Sequence, residues 1–132
     1  MSERIPMQVG ELLPEELRLL VEHLPFDLTF VDEHHTVRWY SPHRIFERSP
    51  CDIGKDVATC HSPATRPHVE RIMSELQSGR RDSAEFLTEH DARPVSVRYL
   101  ALRDADGAYR GMFEIAQLVG DVWPAADQPA AG

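Results

Sequence analysis

Val69, Ile72, Met73 and Leu76 recur at the i, i+3, i+4, i+7 spacing of one helical face, while Glu70, Arg71, Glu75 and Gln77 fill the other side. Thr65 stands where a cap is needed, Pro67 falls in the first turn, where a missing N–H costs nothing, and Gly79 can take the left-handed stop. The pattern predicts one long amphipathic helix in a chain otherwise made of short elements. Residues 1–12 show no periodicity and are expected to be loose. Pro14-Glu15-Glu16 reads as a helix start, and Leu13, Leu17, Leu20, Val21 and Leu24 form a stripe that must dock.

From Pro25 the period changes to two. Phe26, Leu28 and Phe30 alternate with Asp27 and Thr29, Asp32 to His35 make a polar turn, and Thr36 to Tyr40 answer with Val37 and Trp39, predicting a hairpin. Ser41 to Val57 is broken by Pro42, Pro50 and Gly54, with Ile45, Phe46, Ile53 and Val57 as apolar anchors. After Gly79 three strands are predicted. Ser83 to Glu89 carries Ala84, Phe86 and Thr88 on one face, and Arg93 to Leu102 carries Val95, Val97, Tyr99 and Ala101. Tyr109 to Val119 carries Gly111, Phe113, Ile115 and Val119. Asp104-Ala105-Asp106-Gly107 is a hairpin signal. Two strands, broken helical pieces, a long helix and three strands imply an α+β fold: a five-stranded antiparallel sheet with short helices and one long helix on one face, plus an N-terminal helix. The divisions expected are an N-terminal segment over 1–23, one domain over 24–120 and a disordered Pro/Ala tail over 121–132.

Composition narrows the function. At 132 residues there is room for one core, and 42% hydrophobic with 27% charged residues is ordinary for a globular protein. Fourteen Lys and Arg scattered among 22 acids give a net charge of −8, which argues against a nucleic-acid partner. No apolar run approaches the ~20 residues of a membrane helix and no signal-peptide pattern opens the chain, so a cytoplasmic protein is expected. Two cysteines, Cys51 and Cys60, are too few for a disulfide scaffold and are expected as free thiols.

The local motifs carry a resemblance. Leu24-Pro25-Phe26-Asp27-Leu28-Thr29-Phe30-Val31-Asp32, Arg44-Ile45-Phe46-Glu47-Arg48-Ser49-Pro50, Ile53-Gly54-Lys55-Asp56-Val57 and Cys60-His61-Ser62-Pro63, taken with the element order, resemble PAS domains, and among them the modules at the end of hemerythrin-like (HHE) proteins of unassigned function. The likeness covers residues 24–119 and is specific as a set. Two departures stand out: those modules usually show Cys-His-Pro-Pro, where Ser62 replaces the first proline, and PAS sheets often leave through an Asp-Val-Thr-like exit, where this chain reads Gln117-Leu118-Val119-Gly120. The resemblance implies a sensory or interaction module with a cavity between sheet and long helix that takes haem, flavin, a small metabolite or nothing. The Asn-Cys-Arg-Phe motif of flavin photosensors is missing. Signalling through another chain is implied by the changed exit.

Cys60-His61 has three readings: a thiol in a turn beside a backbone-bonded imidazole, a ligand set, and a redox-sensitive thiol at a helix N-terminus with Cys51 as partner. Haem is the leading cofactor candidate, because haem-binding PAS domains take their histidine from the long helix or its approach, where His61 and His68 lie; these would be its metal ligands, with Cys60 beside them. A zinc site from Cys51, Cys60, His61 and His68 matches known spacings poorly. His34-His35 reads as a solvated pair, Arg98 and Arg103 as solvated sheet residues. Phe30, Trp39, Phe46, Met73, Tyr99 and Phe113 are the candidate cavity lining. Catalysis would need an orienting group and an oxyanion site that the sequence does not supply, so no enzyme is expected. The expected function is a PAS-type sensor of a small ligand or cofactor, acting as a homodimer through the leucine stripe and through a separate signalling partner, with a ligand-free interaction module and a Cys60 redox sensor as the competing readings.

Overall fold

The computed structural model describes residues 3–47 and 52–121. Near the N-terminus, where the pattern predicts nothing, β1 (Ile5–Pro6) and β2 (Glu11–Leu12) pair with Ile5 opposite Leu12. Met7 N–H donates to Gly10 O at 2.9 Å, and Gly10 takes φ +82°, a turn two-residue strands are too short to announce by periodicity. Helix α1 (Pro14–Glu22) follows the predicted start, with the Glu16 carboxylate accepting Leu13 N–H at 2.7 Å. None of its residues is fully buried: Leu17 and Val21 are half-covered and Leu20 is 57% exposed, while Leu24, just past its end, is 37% exposed.

The sheet contains β3 (Asp27–Asp32), β4 (Val37–Tyr40), β5 (Ser83–His90), β6 (Arg93–Arg103) and β7 (Tyr109–Leu118), antiparallel throughout, in the order β4-β3-β7-β6-β5. Asp32 Oδ1 closes the first hairpin by accepting His34 and Thr36 N–H, and Asp104 Oδ1 closes the β6–β7 turn by accepting Asp106 and Ala108 N–H. Between β4 and the long helix the chain runs through a 3-10 helix (Val57–Cys60) started by the Asp56 side chain. Helix α2 (Arg66–Ser78) then lays Val69, Ile72, Met73 and Leu76 on the sheet, each burial contributing roughly 1.5–3 kcal/mol. Gly79 ends it at φ +83°. Thr65 occupies the cap position without a side-chain cap; its hydroxyl donates to Ser62 O at 3.2 Å instead.

The sheet is apolar on both faces, and this alters two strand assignments. The α2 side carries Val31, Val95, Val97, Tyr99, Met112 and Ala116. In β3 the residues on that side are therefore Asp27, Thr29 and Val31, and Leu28 and Phe30 face away. In β7 the α2 side holds Met112, Glu114 and Ala116, whereas Gly111, Phe113 and Ile115 face away. Central strands covered on both faces have two apolar faces, so alternation finds the strand without saying which face is which. Arg103 also departs from its expected solvated state: its Nη2 donates to Leu76 O at 2.6 Å at the end of α2, and it lies over the Tyr109 ring. Burial raises the Tyr109 phenol, with Arg103 opposing. Arg98 is exposed as expected. Cys51 and the tail from residue 122 onward lie outside the described residues, as do Arg48, Ser49 and Pro50 of the motif set. Among the described residues no helix is long and apolar enough to cross a membrane.

Candidate functional site

The wall of the site begins at Asp27, whose sequence position looks like the wet side of a strand and whose side chain is 1% exposed. Its Oδ2 accepts the N–H groups of Ile45 and Phe46, both at 2.9 Å, and its Oδ1 meets Arg44 Nη1 at 2.7 Å. Arg44 returns bonds to Leu28 O and Phe46 O and lies over the Tyr40 ring. Ser41, fully buried, accepts Leu28 N–H and donates to Phe26 O. An irregular segment without its own ladder is thereby tied to β3, each of these backbone groups having a partner. Phe46 projects from it and meets His90 edge-on, ring centroids 5.0 Å apart.

Between this wall, the 3-10 helix, the first turn of α2 and the α2 face of β5, β6 and β7 lies a cavity of about 300 Å³. Glu47 and Thr65, both exposed, are among its lining residues. Phe86 and Tyr99 form an aromatic side, centroids 5.9 Å apart, and His68 stands edge-on to Phe86 at 5.5 Å. His68 is on the solvent side of the first turn with its ring turned in over Phe86, and its Nδ1 is 3.4 Å from Arg71 Nη2. His61 Nε2 is buried, and Cys60 Sγ lies 3.9 Å from Asp56 O. Glu114, 6% exposed, stands on β7 in register with Tyr99 of β6 and Thr29 of β3. Thr29 Oγ1, fully buried, has no hydrogen-bond partner among the described residues.

Five of the expected site residues, Cys60, His61, His68, Phe46 and Tyr99, thus share one cavity. Phe30, Trp39 and Phe113 do not: they lie on the opposite face, where with Leu102 they form a shallow apolar pocket under Val21 of α1. Their alternation is real, but it belongs to the face the N-terminal helix covers. Met73 is buried in the core, and beyond it is a separate cleft with His35, Asp56 and Glu70. His35 is not a solvated residue: it is half-buried at φ +64°. Glu114 and the inward Phe86 and Thr88 were not among the candidates. The sign of Glu114 is its place between Met112 and Ala116 on one parity, a charge within an apolar row.

Two chemistries lose support from this geometry. Cys60 is the last residue of the 3-10 helix rather than the amide end of α2, so the helix-terminus argument for a reactive thiolate does not apply. No group of three or more His, Cys, Asp or Glu positioned to hold a metal ion occurs among the described residues. For haem the imidazoles are present, but ~300–1,000 Å³ is the span of small-molecule pockets, and a cavity at its lower end is too small to enclose a porphyrin. Haem does not fit the site.

The chain matches the family model of the PAS domain over residues 17–119. Among solved structures it is similar to the C-terminal domain of a Streptococcus mutans protein, with 28% identity, a TM-score of 0.81, and 89% of this chain and 93% of that one covered. The PAS domain of BvgS from Bordetella pertussis shares the fold at 13% identity and TM-score 0.63, covering 80% of this chain and 85% of that one. A sensory box sensor histidine kinase from Vibrio cholerae does so at 14% and 0.56, covering 76% and 86%. No curated protein matches the chain significantly.

Proposed function

The chain belongs to the PAS domain family, and on that footing we propose that it is a sensory module that takes a small ligand into the cavity beneath the start of α2. The observation that carries this reading is the convergence of His61, His68, Tyr99 and Glu114 on one partly open cavity walled by Phe46 and Phe86. Apolar walls with a few convergent polar groups are the usual make-up of a ligand site. The sensor histidine kinases among its structural neighbours support a sensory role. The module binds rather than catalyses, and it passes its signal to a separate partner.

The competing reading, an interaction and dimerisation module, draws on α1. Leu20 and Leu24 are exposed, and Val21 of the same helix lines the apolar pocket of Phe30, Trp39 and Phe113. Two copies packing these helices would form the homodimer, and a monomeric mass at micromolar concentration in solution argues against it.

The test of the ligand reading is a thermal-shift screen of small metabolites against the wild type and Thr88→Trp. Thr88 lines the cavity from edge strand β5, so an indole there fills the space and spares the buried core. Ligands that stabilise the wild type and not the variant support the reading; equal stabilisation of both places binding elsewhere and overturns it.

A further inference from the structure

We infer that the outer edge of β5 is a docking surface that takes an extended basic segment of another protein as a sixth, antiparallel strand, with lysine or arginine opposite Glu85 and Glu89 and an apolar residue opposite Leu87. The surface is distinct from the cavity and does not depend on its being filled. Three observations carry it. First, β5 ends the sheet order β4-β3-β7-β6-β5, and its pairing with β6 runs from Ser83 to His90 without a bulge. Asp82 continues that register opposite Ala101, whose N–H donates to Asp82 O at 2.9 Å. Bonded pairs therefore fall at Ala84, Phe86, Thr88 and His90, and the N–H and C=O groups of Ser83, Glu85, Leu87 and Glu89 point away from β6. None of these outward groups has a hydrogen-bond partner among the described residues. A regular eight-residue edge without proline, glycine or bulge is a template for another strand.

Second, the side chains of those residues lie on the face away from α2 and are exposed, Leu87 at 73%. Glu85 and Glu89 flank Leu87 two positions to either side, and neither carboxylate is ion-paired among the described residues. Arg98 of β6 stands opposite Glu85 and is exposed, whereas Glu89 faces Pro94 and meets no cation across the pair. A strand added outside β5 sets one residue directly opposite each of the three, close enough for an ion pair at both ends and an apolar contact between them. The net charge of −8 attracts a basic segment at longer range. Third, a second copy of β5 is a poor match. The register centred on Leu87 sets Glu85 against Glu89 of the copy twice over, and the one centred on Phe86 sets Glu85 against Leu87. The segment that fits is basic, any residue, apolar, any residue, basic.

Three capped peptides test this, each titrated into the ¹⁵N-labelled full chain at about 0.15 M salt. The first is Thr-Lys-Thr-Val-Thr-Lys-Thr, and the second has glutamate in place of both lysines. The third is the lysine peptide with N-methylvaline at its centre, which keeps the charges and removes the N–H that the Leu87 carbonyl accepts in the added strand. The lysine peptide should bind about tenfold more tightly than either of the others. Its largest amide shifts, and new protection from hydrogen exchange, should fall at Glu85, Leu87 and Glu89. Glu85→Gln combined with Glu89→Gln should bring the lysine and glutamate peptides to similar affinity; both positions are exposed, and the same spectrum reports whether the variant folds. An N-methylvaline peptide that binds as tightly as its parent shows charge attraction without an added strand and overturns the inference. A lysine peptide no tighter than the glutamate peptide overturns it as well, as does failure of all three to shift those amides at millimolar concentration.

Discussion

Asp27 holds Phe46 by its backbone: the carboxylate of a central strand accepts the Phe46 N–H at 2.9 Å and so sets one wall of the cavity. The same carboxylate is ion-paired with Arg44, whose side chain is 14% exposed. Asp27→Ala leaves that guanidinium buried and two N–H groups unmet, a change expected to cost about 3–5 kcal/mol. Guanidinium unfolding measures it. A loss below about 1 kcal/mol would mean that the wall is not held this way.

Two glycines separate conformational strain from collision. Gly111, at φ +141°, faces the neighbouring strand so closely that an added Cβ would stand 2.4 Å from Val31 O. Gly79, at φ +83°, has open space. Gly111→Ala should therefore cost about 3 kcal/mol or more and Gly79→Ala about 1 kcal/mol. Urea melts of the two variants check the order; equal losses would contradict the close strand approach.

Asp32 connects pH to stability. Burial acts to raise its carboxyl, but Arg38, Nε at 2.7 Å, and the Thr36 and His34 N–H groups together outweigh this and hold it below its ordinary value. A depressed carboxylate stabilises the fold fully above its unfolded value of about 3.9 and loses that contribution as pH falls through the folded value. The difference in melting temperature between the wild type and Asp32→Asn should be constant from pH 5 to 7 and shrink below about pH 4. A difference that grows on acidification reverses the sign and contradicts the pairing.

Hemin should not enter the cavity. Absorption spectra during hemin addition are expected to match free hemin at every step, in the wild type and in His61→Ala, His68→Ala and Cys60→Ala alike. A saturable Soret band at one equivalent, lost in one of these variants, would contradict the size argument.

Much of the fold is legible because its signals are local. Val69, Ile72, Met73 and Leu76 mark the buried face of α2, Gly79 its end, and the Asp104 to Gly107 run the β6–β7 hairpin. Half the site is legible for the same reason: Cys60, His61 and His68 lie close in sequence, and the approach to the long helix borders the cavity. What is hidden depends on which element covers which face. Phe30, Trp39 and Phe113 alternate as well as any inward residues, and only the docking of α1 shows that theirs is the far face. Asp27 looks solvated until Arg44, far along the chain, is brought beside it. Glu114 is masked by the aromatic Phe113 next to it.

The most direct test of the central claim is a set of intermolecular NOEs from a ligand found in the thermal-shift screen to the valine methyls of the ¹³C-labelled protein. Contacts from the ligand to Val69 and Val97 place it in the cavity beneath α2, as expected. Contacts to Val21 instead would put it on the opposite face of the sheet and contradict the account.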